Sequence, residues 1–374
     1  MVRLRSARTM FVQRADYPSP WRRLRMALRT ALYDWHAAHG ATFVPFAGYD
    51  MPVHYGSIKA EHAAVRTAAG LFDVSHMSNL WVSGPKAASA LARVTPSNPA
   101  VVPLARGKYT VILNADGTIL DDAFYFKVAE DRFYVIPNAG RNVAVGDALR
   151  SEGAAVEDVT AATSIFALQG PKAKEILAAA SSDAAPKFHH LTTMRIAGVE
   201  CLVSGTGYTG EKGVELYLPA AQSVAVWEHL MAVGASHGLA SIGLGARDTL
   251  RLEKGYCLAG NEFEGGRTPI EAGLAWVMDW NGDFHGKSHL RVQMESGDHD
   301  RLVGLVQESG IPRHGYPILR DGSRIGQVTS GTISPTTGKG IALGYVRGAA
   351  VGDEVAVEVR GKAQSANVVK PPFV

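Results

Sequence analysis

Two neighbouring carboxylates, Asp121 and Asp122, lie in the run Thr118-Ile119-Leu120-Asp121-Asp122-Ala123-Phe124-Tyr125-Phe126, whose composition is that of a strand. Aspartate is depleted in strands, and burying one is costly unless it is hydrogen-bonded or has work to do. Adjacent strand side chains leave opposite faces. Asp122 is therefore expected on the side of Leu120 and Phe124, where a carboxylate on an apolar face is a candidate site. Such a group can steady a developing cation or take a proton. The alternative is a turn-flanking aspartate on an edge strand, because Asn114-Ala115-Asp116-Gly117 just before it reads as a hairpin turn. Asp121, on the opposite face, is expected to matter much less.

Gly205-Thr206-Gly207-Tyr208-Thr209-Gly210 matches the dinucleotide pattern G-x-G-x-x-G in letters only. That pattern needs a helix after it to face a pyrophosphate. Here Gly213-Val214-Glu215-Leu216-Tyr217-Leu218 alternates like a strand, and Glu211 would set a negative charge beside the phosphates. The segment reads as a glycine-rich hairpin that brings backbone close to a ligand. Glu211 at its end is placed to accept two parallel hydrogen bonds from an amidine-like ring edge, as pterins and guanines present, or to be a solvated hairpin glutamate. In Gly243-Leu244-Gly245-Ala246-Arg247-Asp248-Thr249-Leu250-Arg251-Leu252-Glu253, the residues after the glycines are helical. Arg247 and Arg251 share a face, with Asp248 and Glu253 available to offset them. Arg247 lies one turn into the helix, against the dipole. A carboxylate or a ligand carbonyl should hold it there.

The pairs His36/His39 and His285/His289 have helical metal-ligand spacing, but neither has a nearby cysteine or acid cluster, so no metal is expected. No serine nucleophile elbow or Walker loop is present. Across 374 residues the net charge is +3, too small to argue for nucleic acid. Much of that excess falls in residues 1–29, where eight arginines face one acid, Asp16. This basic leader is expected to be disordered, either a transit segment or an upstream extension with Met26 as the working start. With only Cys201 and Cys257, the chain fits a reducing compartment: the cytoplasm, or the mitochondrial matrix if the leader is a transit peptide. No apolar run approaches a membrane span, and a monomer or weak oligomer is expected.

The elements that must position these residues follow from patterning. Helices are expected over 58–68, from Pro85 through Ala92, over 141–149, from Gly170-Pro171 onward and over 224–233. Strands are expected over 71–74, alternating with turns from Tyr109 to Val135, and over 199–204 and 214–218. From Arg301 the texture becomes all-β, with short strands at 301–306, 341–346 and 354–359 and turns at Asp321-Gly322 and Arg360-Gly361. The body lacks a regular βαβ rhythm, so the class is α+β. The expected divisions are the leader at 1–29, two interleaved α+β domains over 30–290, and a β-barrel over 300–374.

Several segments occur in an order that closely resembles one family. They are Val44-Pro45-Phe46-Ala47-Gly48-Tyr49-Asp50-Met51-Pro52, Gly70-Leu71-Phe72-Asp73-Val74-Ser75-His76-Met77, Leu120-Asp121-Asp122 and Leu168-Gln169-Gly170-Pro171. Thr206 to Glu211, Gly243 to Asp248, Glu271-Ala272-Gly273-Leu274 and Val328-Thr329-Ser330-Gly331 follow. The resemblance, over about residues 30 to 373, is to the T-protein of the glycine cleavage system, a tetrahydrofolate-dependent aminomethyltransferase. It implies a three-domain cloverleaf around a central folate channel, with tetrahydrofolate as co-substrate and no metal or nucleotide. The implied partner is the lipoylated H-protein, which presents an aminomethyl group on a dihydrolipoyl sulfur; no nucleic acid or membrane partner is implied. By resemblance Asp122 is the catalytic carboxylate, Glu211 holds the pterin edge and Arg247 binds folate. Tyr109, Asn138, Tyr256 and Met77 match channel positions.

The chain departs from the family pattern at Ser78, where glycine is usual, at Lys212, where aspartate is common, and at Phe126, where tyrosine often lies. Family members also continue past Pro371-Pro372-Phe373-Val374 with a short tail that reaches the folate site, so weaker folate binding is an expectation. Two other classes stay open: a folate-binding protein of iron–sulfur maintenance, whose Lys-Gly-Cys signature is approached by Lys254-Gly255-Tyr256-Cys257, and a folate-dependent demethylase of a small methylated molecule. Removing residues 1–25, which hold few core-forming side chains, should leave melting temperature and turnover almost unchanged. A large loss of either would show that the leader packs on the body or closes the site.

Overall fold

The computed structural model describes residues 27–374; of the expected leader, residues 1–26 lie outside the described residues. Leu28 forms a parallel bridge with Tyr49, and the Arg29 guanidinium sits 3.9 Å over the Tyr33 ring. The patterned segments fold largely as their periodicity implies. Ser57 caps the helix Ile58–Thr67 by accepting from the Ala60 N–H, the preferred role of serine at that position. Helices Ala87–Val94, Asn142–Ser151, Ser223–Gly234 and Leu244–Glu253 fall where expected. The helix after Gly170-Pro171 begins only at Ala173. Pro171 lies in the preceding turn rather than in the helix.

Among the described residues there are four β-systems, the smallest a hairpin of Thr42–Phe46 and Tyr49–His54. A six-stranded sheet runs Leu191–Ile196, Val199–Ser204, Gly213–Pro219, Thr163–Gln169, Ala69–Asp73 and Leu239–Ile242, with the last pair parallel. A five-stranded antiparallel sheet runs Gly107–Leu113, Ile119–Ala129, Arg132–Pro137, Leu80–Ser83 and Ala155–Asp158. The second sheet lies in sequence between two paired neighbours of the first, Ala69–Asp73 and Thr163–Gln169. This interleaving is why no βαβ rhythm is legible. Six strands within Arg301–Val369 close a barrel filled by residues such as Leu305, Ile318, Val328 and Val357. Closure removes the exposed edges that an open sheet would present. Helices Ala173–Ala180 and Ser223–Gly234 cover one sheet through Ile176, Leu177, Val226 and Trp227. Leu91, Val94, Val145 and Leu149 cover the other. No helix among the described residues is long and apolar enough to cross a membrane.

One buried carboxylate joins these parts. Glu253, fully shielded from solvent, ends the helix Leu244–Glu253 and accepts from Arg66 Nη2 at 2.8 Å, Ser334 Oγ at 2.6 Å and the Thr336 N–H at 3.1 Å. His62 Nε2 lies 3.1 Å away. Two helices and the barrel therefore meet on one acid. Burial alone would raise its pKa, but hydrogen bonds from His62, Ser334 and Arg66 outweigh that and hold it well below the usual carboxylate range. A depressed folded-state pKa contributes stability above the unfolded value of about 4.3 and loses it as pH falls below that. Glu253→Ala should cost about 3–5 kcal/mol in urea unfolding, because Arg66 is left without its buried partner. Glu253→Gln should cost less and flatten the acid side of the stability–pH curve. A loss under about 1 kcal/mol for the alanine variant would mean that the junction is held by apolar packing alone.

Candidate functional site

Strand Ile119–Ala129 is not an edge strand. It pairs with Gly107–Leu113 on one side and Arg132–Pro137 on the other. The hairpin at Asn114–Gly117 forms, with the Gly117 N–H donating to Asn114 O at 2.9 Å. It brings a register shift, so that Leu113 faces Ile119 while Ile112 faces Asp121. Leu120 is the extra residue of this bulge, which breaks the two-residue period. It packs with the cluster of Ala123 and Tyr125, not on the side of Asp122. The expected shared face thus holds for Asp122 and Phe124 but not for Leu120. Asp121 takes the core side and has no exposure, whereas Asp122 is half-buried.

Asp122 is fixed by two donors. Tyr109 Oη donates to Oδ2 at 2.8 Å and Asn138 Nδ2 to Oδ1 at 2.6 Å. Burial raises its pKa, against the lowering effect of these two bonds. Tyr109 reaches it because the strand Gly107–Leu113 lies alongside, and its ring stacks on Trp276 with centroids 5.8 Å apart. Gly107 makes room for the neighbouring rings, since a Cβ there would collide with Phe124 and Phe126. Phe126, at a position where the family often has tyrosine, is buried against Phe124 with centroids 5.0 Å apart. Ser78 has a definite use: its hydroxyl donates to Asn138 O at 2.8 Å and so braces the residue that orients Asp122.

The glycine-rich segment is a hairpin between antiparallel strands Val199–Ser204 and Gly213–Pro219. Gln169 organises it, donating to Thr206 O at 3.1 Å and Val214 O at 3.2 Å and accepting from Thr209 Oγ1 at 2.9 Å. Gly207 lies so close to that amide that no side chain fits. Gly210 has φ +76° and faces the Lys254 stem. Glu211 is not an unengaged hairpin glutamate. Its Oε1 accepts from Arg66 Nη1 at 2.9 Å, so the guanidinium bound to Glu253 also holds the acid expected to meet a ring edge.

Tyr208, at the hairpin tip, links the two halves. Its ring lies 4.8 Å below the Arg247 guanidinium, stacks on Tyr256 at 5.8 Å, and its hydroxyl donates to Cys257 O. The Asp122 charge acts on both Tyr208 and Cys257. Along Leu244–Glu253 the two arginines part company. Arg251 is paired with Asp248 at 2.8 Å and Glu262 at 3.3 Å and reaches Ser330 Oγ at 2.8 Å. Glu253 turns to Arg66 and His62 instead. Arg247 Nη1 is buried without a hydrogen-bond partner, as is His76 Nδ1. Burial, and then the Arg247 charge, push the His76 imidazolium down to about 3, so this ring is neutral. The unsatisfied Nη1 of Arg247, over the Tyr208 ring, is a donor available to a polar ligand.

Of the expected site residues, Tyr109 and Asn138 both touch Asp122, and Tyr256 and Arg247 both meet Tyr208. Glu211 connects through Arg66, and Met77 lies against the core cluster of Phe72, Phe126 and Tyr134. Sequence reasoning missed Trp276, Tyr208, His76 and Arg66 as site residues. Tyr208 and His76 lay inside segments already singled out; Arg66 and Trp276 carried no local signal. The histidine pairs are otherwise engaged. His36 bonds Asp73 and Tyr55, His39 stacks on Trp35, His285 bonds Glu152 and His289 bonds Asp116 O. Among the described residues no group of three or more His, Cys, Asp or Glu could hold a metal ion.

Residues 32–282 match the GCVT N-terminal domain, and residues 301–374 match the glycine cleavage T-protein C-terminal barrel domain. The aminomethyltransferase of Halothermothrix orenii is 42% identical over 92% of this chain and 99% of its own length. That of Saccharopolyspora erythraea is 42% identical over 92% of this chain and 97% of its own length. The crystal structure of glycine cleavage system aminomethyltransferase T from Bartonella henselae is similar with a TM-score of 0.86 at 35% identity, covering 93% of this chain and 98% of that one.

Because Arg247 Nη1 has no hydrogen-bond partner, Arg247→Met should cost the ligand-free protein less than about 1 kcal/mol, since removing an unsatisfied buried donor offsets the lost contact with the Tyr208 ring. A polar ligand bound at the open donor should raise the melting temperature of the parent protein and not of this variant. Destabilisation above about 3 kcal/mol would make Arg247 a structural residue instead.

Proposed function

The chain belongs to the glycine cleavage T-protein family of aminomethyltransferases, and on that premise we propose that its reaction centres on Asp122, with tetrahydrofolate as acceptor and the lipoylated H-protein as donor. The activity is aminomethyl transfer in glycine cleavage. The methylene of an S–CH2–NH3+ group on the dihydrolipoyl arm passes to tetrahydrofolate, giving 5,10-methylenetetrahydrofolate, ammonia and the dihydrolipoyl carrier. Neither the iron–sulfur maintenance reading nor the small-molecule demethylase is favoured, since the relatives matched over nearly their whole length are aminomethyltransferases. The Lys-Gly-Cys signature is also interrupted here by Tyr256.

The observation that carries the reading is the fixed, half-buried carboxylate of Asp122, bonded by Tyr109 and Asn138 beside the platform of Tyr208, Tyr256 and Arg247. Loss of ammonia or thiolate from the donor passes through an iminium-like carbon bearing positive charge. A preorganised anion in a low-dielectric site stabilises that charge without reorganising. It can also orient the attacking folate amine or accept its proton. Glu211, steadied by Arg66, offers its second oxygen to the pterin edge, and Arg247 Nη1 supplies the donor that lacks a partner. Tyr109, Tyr256, Asn138 and Met77 complete the folate-facing wall. No metal takes part in this reading, and the location is the cytoplasm, or the mitochondrial matrix if the basic N-terminus is a transit peptide.

The direct test is ammonia and methylenetetrahydrofolate production from an aminomethylated lipoyl carrier, in chelator, alongside calorimetric titration with tetrahydrofolate. Absence of both heat and thermal stabilisation at millimolar ligand would sink the reading. Asp122→Asn keeps the shape and removes the charge. It should lower turnover about 10²–10³-fold, or roughly 3–4 kcal/mol, with the fold intact by circular dichroism. Turnover within a few-fold of the parent would place the reacting carbon elsewhere.

A further inference from the structure

Asp121 has no solvent exposure, and the reaction as described does not use it. Its side chain leaves the strand on the face away from Asp122, yet the two are tied together by one residue. Asp121 Oδ2 accepts from the Asn138 N–H at 2.9 Å and Oδ1 accepts from Asn138 Nδ2 at 2.9 Å. The same Nδ2 lies 2.6 Å from Asp122 Oδ1 and 3.0 Å from Asp122 O. An amide nitrogen has two hydrogens, and here three acceptors from two adjacent acids converge on it. Ser78 fixes the backbone carbonyl of Asn138, and turning the side-chain amide towards one acid would cost its bond to the other.

We propose that Asp121 is a positioning residue of the transfer reaction, anchoring Asn138 so that its amide fixes Asp122, and that the two aspartates together carry a single negative charge. This rests on the reading of Asp122 as the reacting carboxylate. Two buried acids sharing one donor cannot both ionise cheaply. Asp122 is the better seat for the charge, because Tyr109 donates to it as well and because it is the less buried of the two. Asp121, among Ala123, Tyr125 and Ile112, is the better seat for the proton. Burial, and then the charge of Asp122, push Asp121 up to about 7, against the lowering influence of Asn138 and Arg141. The other ionisable groups facing the pair are Tyr109, Glu262, Tyr208 and Cys257. Of these, Glu262 adds to the repulsion on Asp122.

Three measurements test this. In Asp121→Asn, which keeps a neutral side chain at the seat of the proton, the acid limb of the kcat/KM profile should stay in place while the inflection near neutral pH that belongs to the second ionisation of the pair disappears, and the tetrahydrofolate KM should stay within about twofold. In Asn138→Ala, kcat should fall about 10²-fold, as for loss of one preorganised donor, with KM again little changed. In the wild-type protein, carboxyl 13C NMR should show Asp121 and Asp122 titrating in two coupled steps. A neutral-pH inflection that persists in Asp121→Asn, with a uniform fall in rate at every pH, would leave Asp121 only structural. Two independent single-step titrations near about 4 would overturn the shared charge even if the variant fails to fold. A wild-type protein that turns over no tetrahydrofolate would instead defeat the reading of the reaction, while the NMR titration would still judge the pair.

Discussion

The structure depends on what Glu253 does at the end of a buried helix. An ionised carboxylate out of water must be surrounded by donors, and here those donors come from different parts of the chain. Arg66 and His62 arrive from the helix Ile58–Thr67, and Ser334 and Thr336 from the barrel. Because Arg66 has further donors, the same junction reaches Glu211 and Thr209 O on the glycine-rich hairpin. The barrel is thus not an appendage. Its Ser330 also bonds Arg251, and its Tyr345 hydroxyl donates to Glu262 O, so the wall opposite Asp122 is braced from the C-terminal side.

Around that frame the site departs from the packing of the apolar core. Leu71, Phe72 and Phe166 pack without exposure, whereas Arg247 and His76 keep buried polar atoms unpaired and two aspartates lie side by side in a sheet. Each departure works against stability, and together they lie around one aromatic platform. Proteins concentrate such local conflicts at functional sites, where a ligand or a transition state satisfies what the fold leaves open. Arg251 is the useful contrast. It lies one turn from Arg247 on the same helix, is fully shielded, and has its partners in Asp248, Glu262 and Ser330, so its role is structural.

How much of this was legible from the chain varied by residue. Asp122 stood out because aspartate is a poor strand residue, and Glu211 because a strand pattern after Gly210 excluded a phosphate-binding helix. Arg247 stood out because it opposes its helix dipole. The barrel, the α+β class and most helix bounds followed from period and turn chemistry, which act over a few residues. Leu120 was misplaced because a bulge shifts register, and nothing in Ile119-Leu120-Asp121 announces that shift. The bonds that tie Asp121 to Asp122 were hidden for a related reason. Alternation predicts which face a side chain leaves by, but not that Asn138, at the end of the neighbouring strand, bonds both acids.

By itself the sequence determined which residue types were available for chemistry, which segments would be strands or helices, and, through the order of its motifs, the family. Those properties are local or cumulative along the chain, and composition and spacing express them directly. Only the tertiary structure decided the partners: Arg66 with Glu211 and Glu253, Tyr109 with Asp122, Trp276 with Tyr109, and Arg247 left open beside His76. Each of these contacts, apart from Tyr109 with Asp122, joins segments far apart in sequence. Direct hydrogen bonds and ring contacts act over a few ångströms, so which distant groups share them is settled when the sheets interleave and the barrel closes on Glu253.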